Sequence, residues 1–344
     1  MKLEEFEYYL PPEYISQKPI KPRDHCRLMV LNREKKKIYH DIFKNILNYL
    51  YPGDLLVLNN TKVFPARIFG FKEKTDGKIE ILLLKPLDLQ KVYWEVLVKP
   101  GKKVDAGIKI RFGEELSGTI KSRDQKRGNW IIEFHFKGDF REILKRIGKM
   151  PTPPYIKTDL DEKNDYQTVY ATKEGSIAAP TAGFHFTNSL LKEIKQAGIE
   201  IVYITLHVGR ATFEPIRVSE VERHQMLPEF YSISSQTAKK INNALKENRR
   251  IISVGTSTTR TLESAFNPAK REINSGEQWS NLFIYPGYKF KIVKAFLTNF
   301  HLPKSTPLLM VCSFAEKDLV FQAYQEAIIE KYKFYSFGDA MLIV

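Results

Sequence analysis

The sequence predicts an α/β protein whose mixed sheet is formed by both ends of the chain, with a small six-stranded all-β barrel inserted between them. Two observations lead to this prediction. Short apolar runs alternate with helical patterns before residue 66 and again after residue 154, as is typical of α/β sheets. Between these positions, six short strand patterns follow one another with turns but without long helices. The predicted parts are 1–65, 66–154 and 155–344.

The first part begins with an extended, proline-punctuated stretch at 10–22. Apolar residues then predict a strand over Arg27–Leu31, and a helical pattern follows near Ile42–Leu50. The sequence Pro52-Gly53-Asp54 predicts a turn, because proline and glycine supply the dihedral angles that tight turns need. The turn leads into a short buried strand, Leu55–Leu58.

The second part has the pattern of a small barrel. Its predicted strands are Arg67–Lys72, Ile79–Lys85, Tyr93–Val98, Lys109–Phe112, Gly118–Ser122 and Trp130–Phe136. Glycines mark the turns between them, a helix at Phe140–Ile147 follows, and the stiff segment 150–155 ends the part. Residues 66–154 contain 20 lysines and arginines against 12 acidic residues, so positive charge is concentrated there.

The third part returns to the α/β pattern. Helices are predicted at Asn188–Gln196, Gln236–Asn248 and Lys317–Lys331, and strands at Ile201–Leu206, Ile251–Val254, Leu282–Ile284, Ile292–Leu297 and Asp339–Val344. Together with the first part, these strands predict one mixed sheet.

The net charge of +14 favours a polyanionic partner, nucleic acid first. The alternative is a heat-adapted surface rich in ion pairs. No apolar run is long enough to span a bilayer, and two cysteines are too few for a disulfide framework, so we expect a cytoplasmic protein with reduced thiols. Nothing predicts a coiled coil, and a monomer is expected.

Four histidines, His185, His207, His224 and His301, are expected to flank strand ends, and all but His224 lie in apolar segments rich in threonine and glycine. Imidazoles at such places are candidates for general acid–base catalysis, because their ordinary pKa lies near neutrality. Each could instead be a hydrogen-bonded core residue. No His-x-x-x-His or Cys-x-x-Cys spacing supports a metal site, and no sequence pattern around either cysteine predicts a nucleophile.

The segment from Ile251 to Ser264 predicts a strand, a tight turn at Gly255 and a helix. Residues Thr256–Thr259 place hydroxyl and N–H groups at the helix start, which attracts anions, and Arg260 could bind a carboxylate or phosphate. The alternative is a capped helix with a surface arginine. Neither a Gly-x-Gly-x-x-Gly fingerprint nor a phosphate loop ending in Gly-Lys-Ser/Thr is present, which argues against a dinucleotide or nucleoside-triphosphate site.

Nearly the whole chain resembles one family. The resemblance is carried by Arg23-Asp24, Arg27-Leu28 and the segments Leu58–Arg67, Tyr166–Tyr170, Ala178–Phe186, Thr205–Gly209, Gly255–Ser264, Thr298–Pro303 and Phe334–Ile343. These motifs are similar to those of the S-adenosylmethionine:tRNA ribosyltransferase-isomerase family of queuosine biosynthesis. The sequence departs from the family pattern at Lys62, Ala211 and Leu227, and at Thr258-Thr259.

The resemblance implies that the ribosyl part of S-adenosylmethionine is transferred to 7-aminomethyl-7-deazaguanine at the wobble position of tRNA. Isomerisation gives epoxyqueuosine, and adenine and methionine are released. S-Adenosylmethionine is then a consumed substrate, and no metal or separate cofactor is expected. The rivals are a non-catalytic tRNA-binding protein, which would not release adenine, and an RNA methyltransferase, which would leave S-adenosylhomocysteine.

The proposed chemistry needs a base at C5′, help for departing adenine, and an anchor for the methionine carboxylate. The catalytic candidates are His185 and His207, with Asp339 as the second choice of base. The substrate-binding candidates are Thr181, Gly183, Thr256, Ser257, Thr258, Thr259, Arg260, Glu263, Asn299 and His301. From charge alone, the tRNA-binding candidates are Lys102, Lys103, Arg123, Lys126 and Arg127.

Overall fold

The computed structural model describes residues 1–88, 90–125, 128–158, 165–210 and 215–344, except for the side chain of Lys103. The chain divides into two compact units. Met1–Lys62, Pro154–Lys173 and Ala179–Val344 form an α/β unit, and Val63–Pro153 with Glu174–Ala178 form a barrel unit. The sequence had predicted boundaries after residues 65 and 154, and had assigned 174–178 to the α/β part. The predicted fold class is confirmed.

Nineteen strands and six α-helices occur in the described residues. The strands are β1 (Arg27–Asn32), β2 (Lys37–Ile42), β3 (Leu55–Asn59), β4 (Thr61–Val63), β5 (Arg67–Lys72), β6 (Lys78–Pro86), β7 (Tyr93–Lys99), β8 (Lys109–Arg111), β9 (Leu116–Arg123), β10 (Trp130–Phe136), β11 (Lys173–Ser176), β12 (Glu200–Leu206), β13 (Glu229–Ile233), β14 (Ile251–Val254), β15 (Phe266–Asn267), β16 (Glu272–Ile273), β17 (Gly276–Ser280), β18 (Ala295–Asn299) and β19 (Ala340–Ile343). The α-helices are α1 (Phe140–Ile147), α2 (Asn188–Gln196), α3 (Ser235–Lys246), α4 (Thr256–Ala265), α5 (Thr306–Ala315) and α6 (Lys317–Ile329). Short 3-10 helices include Arg23–His25, Phe43–Tyr49 and Thr181–His185.

The α/β unit is built on a nine-stranded sheet with the order β17-β13-β12-β3-β14-β18-β19-β1-β2. Strands β12, β3, β14 and β18 run parallel, β19 runs antiparallel to β18, and β1 runs parallel to β19. The carboxyl ends of the four parallel strands and the amino ends of β19 and β1 therefore lie along the same side of the sheet. We call this side the carboxyl edge.

The central strands are buried on both faces. Every residue of β3, β14, β18 and β19 is buried, as expected for parallel strands that helices cover on both sides. On one face, Leu56, Ile252 and Leu297 from the sheet pack in one apolar cluster with Leu190 and Ile194 of α2. This packing fixes the positions of the strand ends at the carboxyl edge.

The barrel unit contains a closed antiparallel barrel with the strand order β10-β7-β6-β5-β8-β9. Alternate residues face its interior, so Ile79, Ile81 and Leu83 of β6 are buried. Helix α1 packs with it through Phe140, whose ring lies 5.2 Å from that of Phe134. Asp139 is the N-cap of the helix, and its carboxylate accepts backbone hydrogen bonds from the first turn.

Some elements differ from the prediction. The predicted strand Leu282–Ile284 is wrong, and the helical pattern at 42–50 is a 3-10 helix preceded by β2. Strand β17 was missed because its polar sequence at the sheet edge has no apolar alternation. Helix α5 was missed because it is apolar almost all round, as buried helices are, and lacks an amphipathic period. In the described residues, no helix is both long and apolar enough to cross a membrane.

Candidate active site at the carboxyl edge

Most predicted site residues of the α/β unit lie at the carboxyl edge. His207 directly follows β12, Gly255 follows β14, and Asn299 ends β18. Asp339 directly precedes β19, whose first residue pairs with Asn299. Asn59, at the end of β3, links two of these neighbours, since its amide donates to the Leu206 carbonyl and to the Ser257 hydroxyl. The fold therefore gathers residues that are far apart in sequence.

His207 is held by polar and aromatic contacts. Its Nδ1 lies 2.8 Å from the hydroxyl of the buried Thr61, and that hydroxyl is 3.5 Å from the carbonyl of Lys173. The imidazole stacks on Phe230, with 5.6 Å between ring centroids and 17° between planes. Burial lowers the pKa of His207, so the ring is neutral at pH 7.

His185 lies in the 3-10 helix Thr181–His185 rather than at a strand end, so its predicted placement is wrong. Its Nδ1 is 3.1 Å from the thiol sulfur of Cys26, and Phe43 packs against the ring. Burial lowers the pKa of His185 to about 4, an effect that the nearby Asn299 side chain partly opposes. Among the described residues, His185 Nε2 and Asn299 Oδ1 are buried without a partner that meets hydrogen-bond geometry.

Cys26 thus has the ring of His185 beside it in space, although 159 residues separate the two in sequence. Burial strongly raises the pKa of its thiol, and the carboxylates of Asp339 and Asp24 add to this shift. A protonated thiol is a weak hydrogen-bond donor and a poor nucleophile. The environment of Cys26 therefore suits orientation of His185 rather than nucleophilic attack.

Gly183 is required by the close approach of a tyrosine. A Cβ atom at this position would lie 2.0 Å from the hydroxyl of Tyr170 and 2.9 Å from Cγ2 of Thr168. Such distances do not occur between non-bonded atoms, so a side chain would push Tyr170 away. The glycine lets the helix that carries His185 pack against 168–170.

We therefore expect Gly183→Ala to lower the free energy of unfolding by about 1–3 kcal/mol, the usual cost of overpacking. The measurement is urea denaturation followed by circular dichroism. Gly77→Ala is the matched control, because its Cβ would meet no described atom closer than 3.4 Å. Equal stability of Gly183→Ala and Gly77→Ala would contradict the packing at this position.

The start of α4 offers fewer free hydroxyls than the sequence suggested. Gly255 has φ +86°, which favours glycine, and it turns the chain from β14 into the helix. The hydroxyls of Thr258 and Thr259 are fully buried and donate to the carbonyls of Val254 and Gly255. Ser257 accepts from Asn59, which leaves Thr256 as the half-buried hydroxyl of this turn.

Arg260 forms a buried ion pair with Glu229, the first residue of β13. Its side chain is 9% exposed, so the alternative of a surface arginine is wrong. The other carboxylate oxygen of Glu229 accepts a hydrogen bond of 2.7 Å from the N–H of Gly209, two residues after His207. Burial lowers the pKa of Arg260 to about 10, which leaves it charged at neutral pH. The pair links α4, β13 and the segment after His207.

Two predicted site carboxylates bind backbone N–H groups. Glu263 accepts from Lys291, Ile292 and Val293, and also from the hydroxyl of Tyr288. Asp339 accepts from the N–H groups of Arg27 and Lys333, both at 2.7 Å. Burial raises the pKa of Asp339, and these two hydrogen bonds oppose that shift. Both carboxylates hold loops in place, and Asp339 does so at the carboxyl edge.

The remaining histidine candidates are packed by aromatic residues. His301 Nε2 is 2.7 Å from the Thr298 hydroxyl, and its backbone N–H donates to Tyr324 of α6. Burial lowers the pKa of His301 to about 3. His224 packs edge-on against Phe283, and it lies between a 3-10 helix and β13 rather than at a strand end.

The remaining substrate-binding and tRNA-binding candidates lie elsewhere. Thr181 begins the 3-10 helix of His185 and is half-buried. In the barrel unit, Lys102 and Arg123 are exposed, and the Arg123 guanidinium lies 5.3 Å from the centroid of the Trp130 ring. Lys126 and Arg127 are outside the described residues, as are the side chain of Lys103 and the departure at Ala211.

The sequence-based analysis did not assign Glu229, Cys26, Asn59 or Thr61 to the site. Asn59 and Thr61 belong to a segment that was noted for its resemblance, and its run of short polar residues after a buried strand was the available signal. Cys26 and Glu229 carry no such signal, because their partners are more than 30 residues away in sequence. Within the described ranges, no group of three or more His, Cys, Asp or Glu side chains could hold a metal ion.

The fold and the site define a class of two-domain protein. Its α/β unit carries buried, neutral imidazoles at the carboxyl edge, and a closed β-barrel is inserted in the sequence of that unit. The family model described as "Queuosine biosynthesis protein" matches residues 3–343, and the chain belongs to this family.

Similar proteins cover the same length. The chain is 50% identical to the S-adenosylmethionine:tRNA ribosyltransferase-isomerase of Halothermothrix orenii and 51% identical to the protein of the same name from Caldanaerobacter subterraneus subsp. tengcongensis, each over 100% of both chains. Among solved structures, it is similar to the S-adenosylmethionine tRNA ribosyltransferase of Thermotoga maritima. That match has 38% identity and a TM-score of 0.55, and it covers 99% of this chain and 100% of the other.

Proposed function

We propose that this protein catalyses the reaction for which its relatives are named. It transfers the ribosyl part of S-adenosylmethionine to 7-aminomethyl-7-deazaguanine at the wobble position of tRNA, isomerises it to the epoxide of epoxyqueuosine, and releases adenine and methionine. The full-length relationship to the ribosyltransferase-isomerases carries this proposal. The neutral imidazoles of His185 and His207 at the carboxyl edge supply groups for the proton transfers of this reaction.

We assign His207 as the base that removes the C5′ proton. If the Thr61 hydroxyl donates to the Lys173 carbonyl, it accepts a hydrogen bond from Nδ1–H of His207. That tautomer leaves a lone pair on Nε2, which is the form a general base needs. The lowered pKa keeps His207 unprotonated at neutral pH.

We assign His185 the opposite tautomer. Its Nδ1 accepts from the protonated thiol of Cys26, so the ring proton is on Nε2. This N–H, next to Asn299, is a donor for a nitrogen of departing adenine. Leaving Nε2 and Asn299 Oδ1 unpaired in a buried place is costly, and a ligand that satisfies both recovers that free energy. The two histidines thereby take different roles because their neighbours differ.

We assign the methionine carboxylate to the start of α4, where backbone N–H groups of the first turn attract anions. Thr256 adds a half-buried hydroxyl there. Arg260, one helical turn after Thr256, is held in the ion pair with Glu229 and acts as a positioning residue. Glu263, Asp339 and His301 act as positioning residues through the contacts described above. S-Adenosylmethionine is consumed as a substrate, and no metal or further cofactor takes part.

The test is mass spectrometry of the small molecules released from S-adenosylmethionine and tRNA that carries the aminomethyl base. The proposal predicts adenine and methionine in equal amounts. S-Adenosylhomocysteine instead would identify a methyltransferase. Salt-sensitive tRNA binding without release of adenine would identify a binding protein.

The barrel unit is proposed to bind the tRNA backbone through its excess of lysine and arginine. Replacing Lys102, Lys103, Arg123, Lys126 and Arg127 by glutamate is expected to weaken tRNA binding and to flatten the dependence of log Kd on log salt, because fewer phosphate counterions are released. Filter binding at several salt concentrations measures both. Reversing exposed charges of the α/β unit, Lys195 and Lys246, is the control. Unchanged affinity of the five-residue variant would refute this role.

A further inference from the structure

A row of three aromatic rings runs from the carboxyl edge to the outermost strand of the sheet. The N–H of His207 donates to the carbonyl of Phe230 on β13, and Phe230 lies opposite Trp279 on β17. The His207 ring stacks on Phe230, and the Trp279 ring meets Phe230 edge-on, with centroids 5.7 Å apart at 71°. We call these three residues the aromatic row.

Trp279 is the outermost of the three rings, on the outermost strand of the sheet. It is 59% exposed, whereas Trp94 and Trp130, in the barrel unit, are each 5% exposed. The side chains of β13 alternate between the two faces of the sheet, and this alternation explains why Trp279 is not part of the apolar core. Tyr231 and Ile233 are buried, and Phe230 lies on the other face of the strand with Trp279 beside it.

We propose that the aromatic row is a stacking platform for an unpaired nucleotide of the RNA substrate, with the exposed ring of Trp279 taking the base next to the modified one. This inference rests on the proposed function. A wobble base can enter a catalytic site only if it leaves the anticodon-loop stack, and its neighbour then loses a stacking partner. Aromatic side chains replace that partner in many proteins that bind single-stranded RNA. The row begins at the candidate base, His207, and so continues directly from the site.

Charge and strand geometry favour RNA over a second protein chain. The net charge of +14 complements a polyanion. A second copy that paired along the outer side of β17 would meet a strand of only five residues that carries the exposed Glu277, and both features discourage edge-to-edge pairing. Neither β13 nor β17 contains lysine or arginine. The platform therefore acts through the ring face, not through the phosphates.

The experiment uses the full-length protein and the anticodon arm of a substrate tRNA. Because Trp279 is the exposed member of the three tryptophans, RNA binding is expected to quench its fluorescence. Trp279→Ala should raise the Kd for RNA by about 5- to 100-fold, the range for loss of one stacked base, without changing the slope of log Kd against log salt. Trp279→Phe should restore most of the affinity, because it keeps a ring.

Two controls make the result specific. Tyr51→Ala removes another exposed aromatic side chain, 61% exposed and just before β3, on the opposite side of the sheet, and should leave the Kd unchanged. An abasic residue beside the wobble position should weaken binding to the wild type but add little to the loss in Trp279→Ala.

If Trp279→Ala bound RNA with wild-type affinity, the platform would be overturned. It would also be overturned if the losses of affinity caused by Trp279→Ala and by the abasic RNA were additive. Sedimentation in which Trp279→Ala dissociates a wild-type dimer would also overturn it, since the row would then be an interface between copies. Adenine release by the wild type tests the proposed function separately. If the wild type releases adenine and Trp279→Ala binds RNA as the wild type does, only the platform is refuted. If RNA quenches the fluorescence of the wild type but no adenine is released, only the proposed ribosyl transfer is refuted.

Discussion

Replacing Glu229 by alanine is expected to lower the free energy of unfolding by about 3–5 kcal/mol, the cost of leaving one charge of a buried ion pair without its partner. The change would strand the Arg260 guanidinium in a place with little water and remove the acceptor for the Gly209 N–H. Equilibrium urea denaturation measures the loss. It should appear as a lower midpoint with an unchanged slope.

The control for this prediction is a double-mutant cycle. Glu229→Leu combined with Arg260→Leu removes both charges, so it should be less destabilising than the sum of the two single replacements. Additive losses would show that the two side chains do not interact, and would contradict the link between α4, β13 and the segment after His207.

Replacing His207 by alanine is expected to lower kcat for adenine release by about 10²- to 10⁴-fold, the usual contribution of a general base. The ring supplies the lone pair on Nε2, and Thr61 holds it in place. Rapid-quench measurement of adenine at saturating substrates gives the effect. His40→Ala is the control, because His40 lies on β2 at the far edge of the sheet and binds Tyr332 and Glu326 instead.

The pH dependence of kcat tests the same assignment. Burial lowers the pKa values of both His207 and His185, so the fraction with neutral rings is high at pH 7 and falls only under more acidic conditions. The acid limb of the kcat profile should therefore lie below pH 6.5. A limb above that value, or full activity of a folded His207→Ala protein, would exclude His207 as the base.

Much of the fold could be predicted because each unit has its own sequence pattern. The six barrel strands and helix α1 follow from short alternating runs with glycine turns, and α2 follows from its amphipathic period. Helix α5 and strand β17 could not be predicted this way. The first is buried all round and the second is polar at an edge, so neither has a periodic apolar face.

The candidate site divides in the same manner. His207, Gly255 and Asn299 could be placed from sequence because they lie at or just after the ends of apolar strands on one side of a sheet. The partners that set their chemistry could not. Cys26 beside His185 and Glu229 beside Arg260 are contacts between distant segments, and they depend on the strand order. The same contacts show that Arg260 is buried and paired, which spacing alone left open.

The most direct test of the proposed function follows the atoms of S-adenosylmethionine into the tRNA. The enzyme is given S-adenosylmethionine with ¹³C in every ribose carbon, and the tRNA is digested to nucleosides for mass spectrometry. Ribosyl transfer predicts a wobble nucleoside that has gained the complete set of labelled ribose carbons, while the methyl group leaves with methionine. A nucleoside that gains only an unlabelled methyl group, or nothing, would contradict the account.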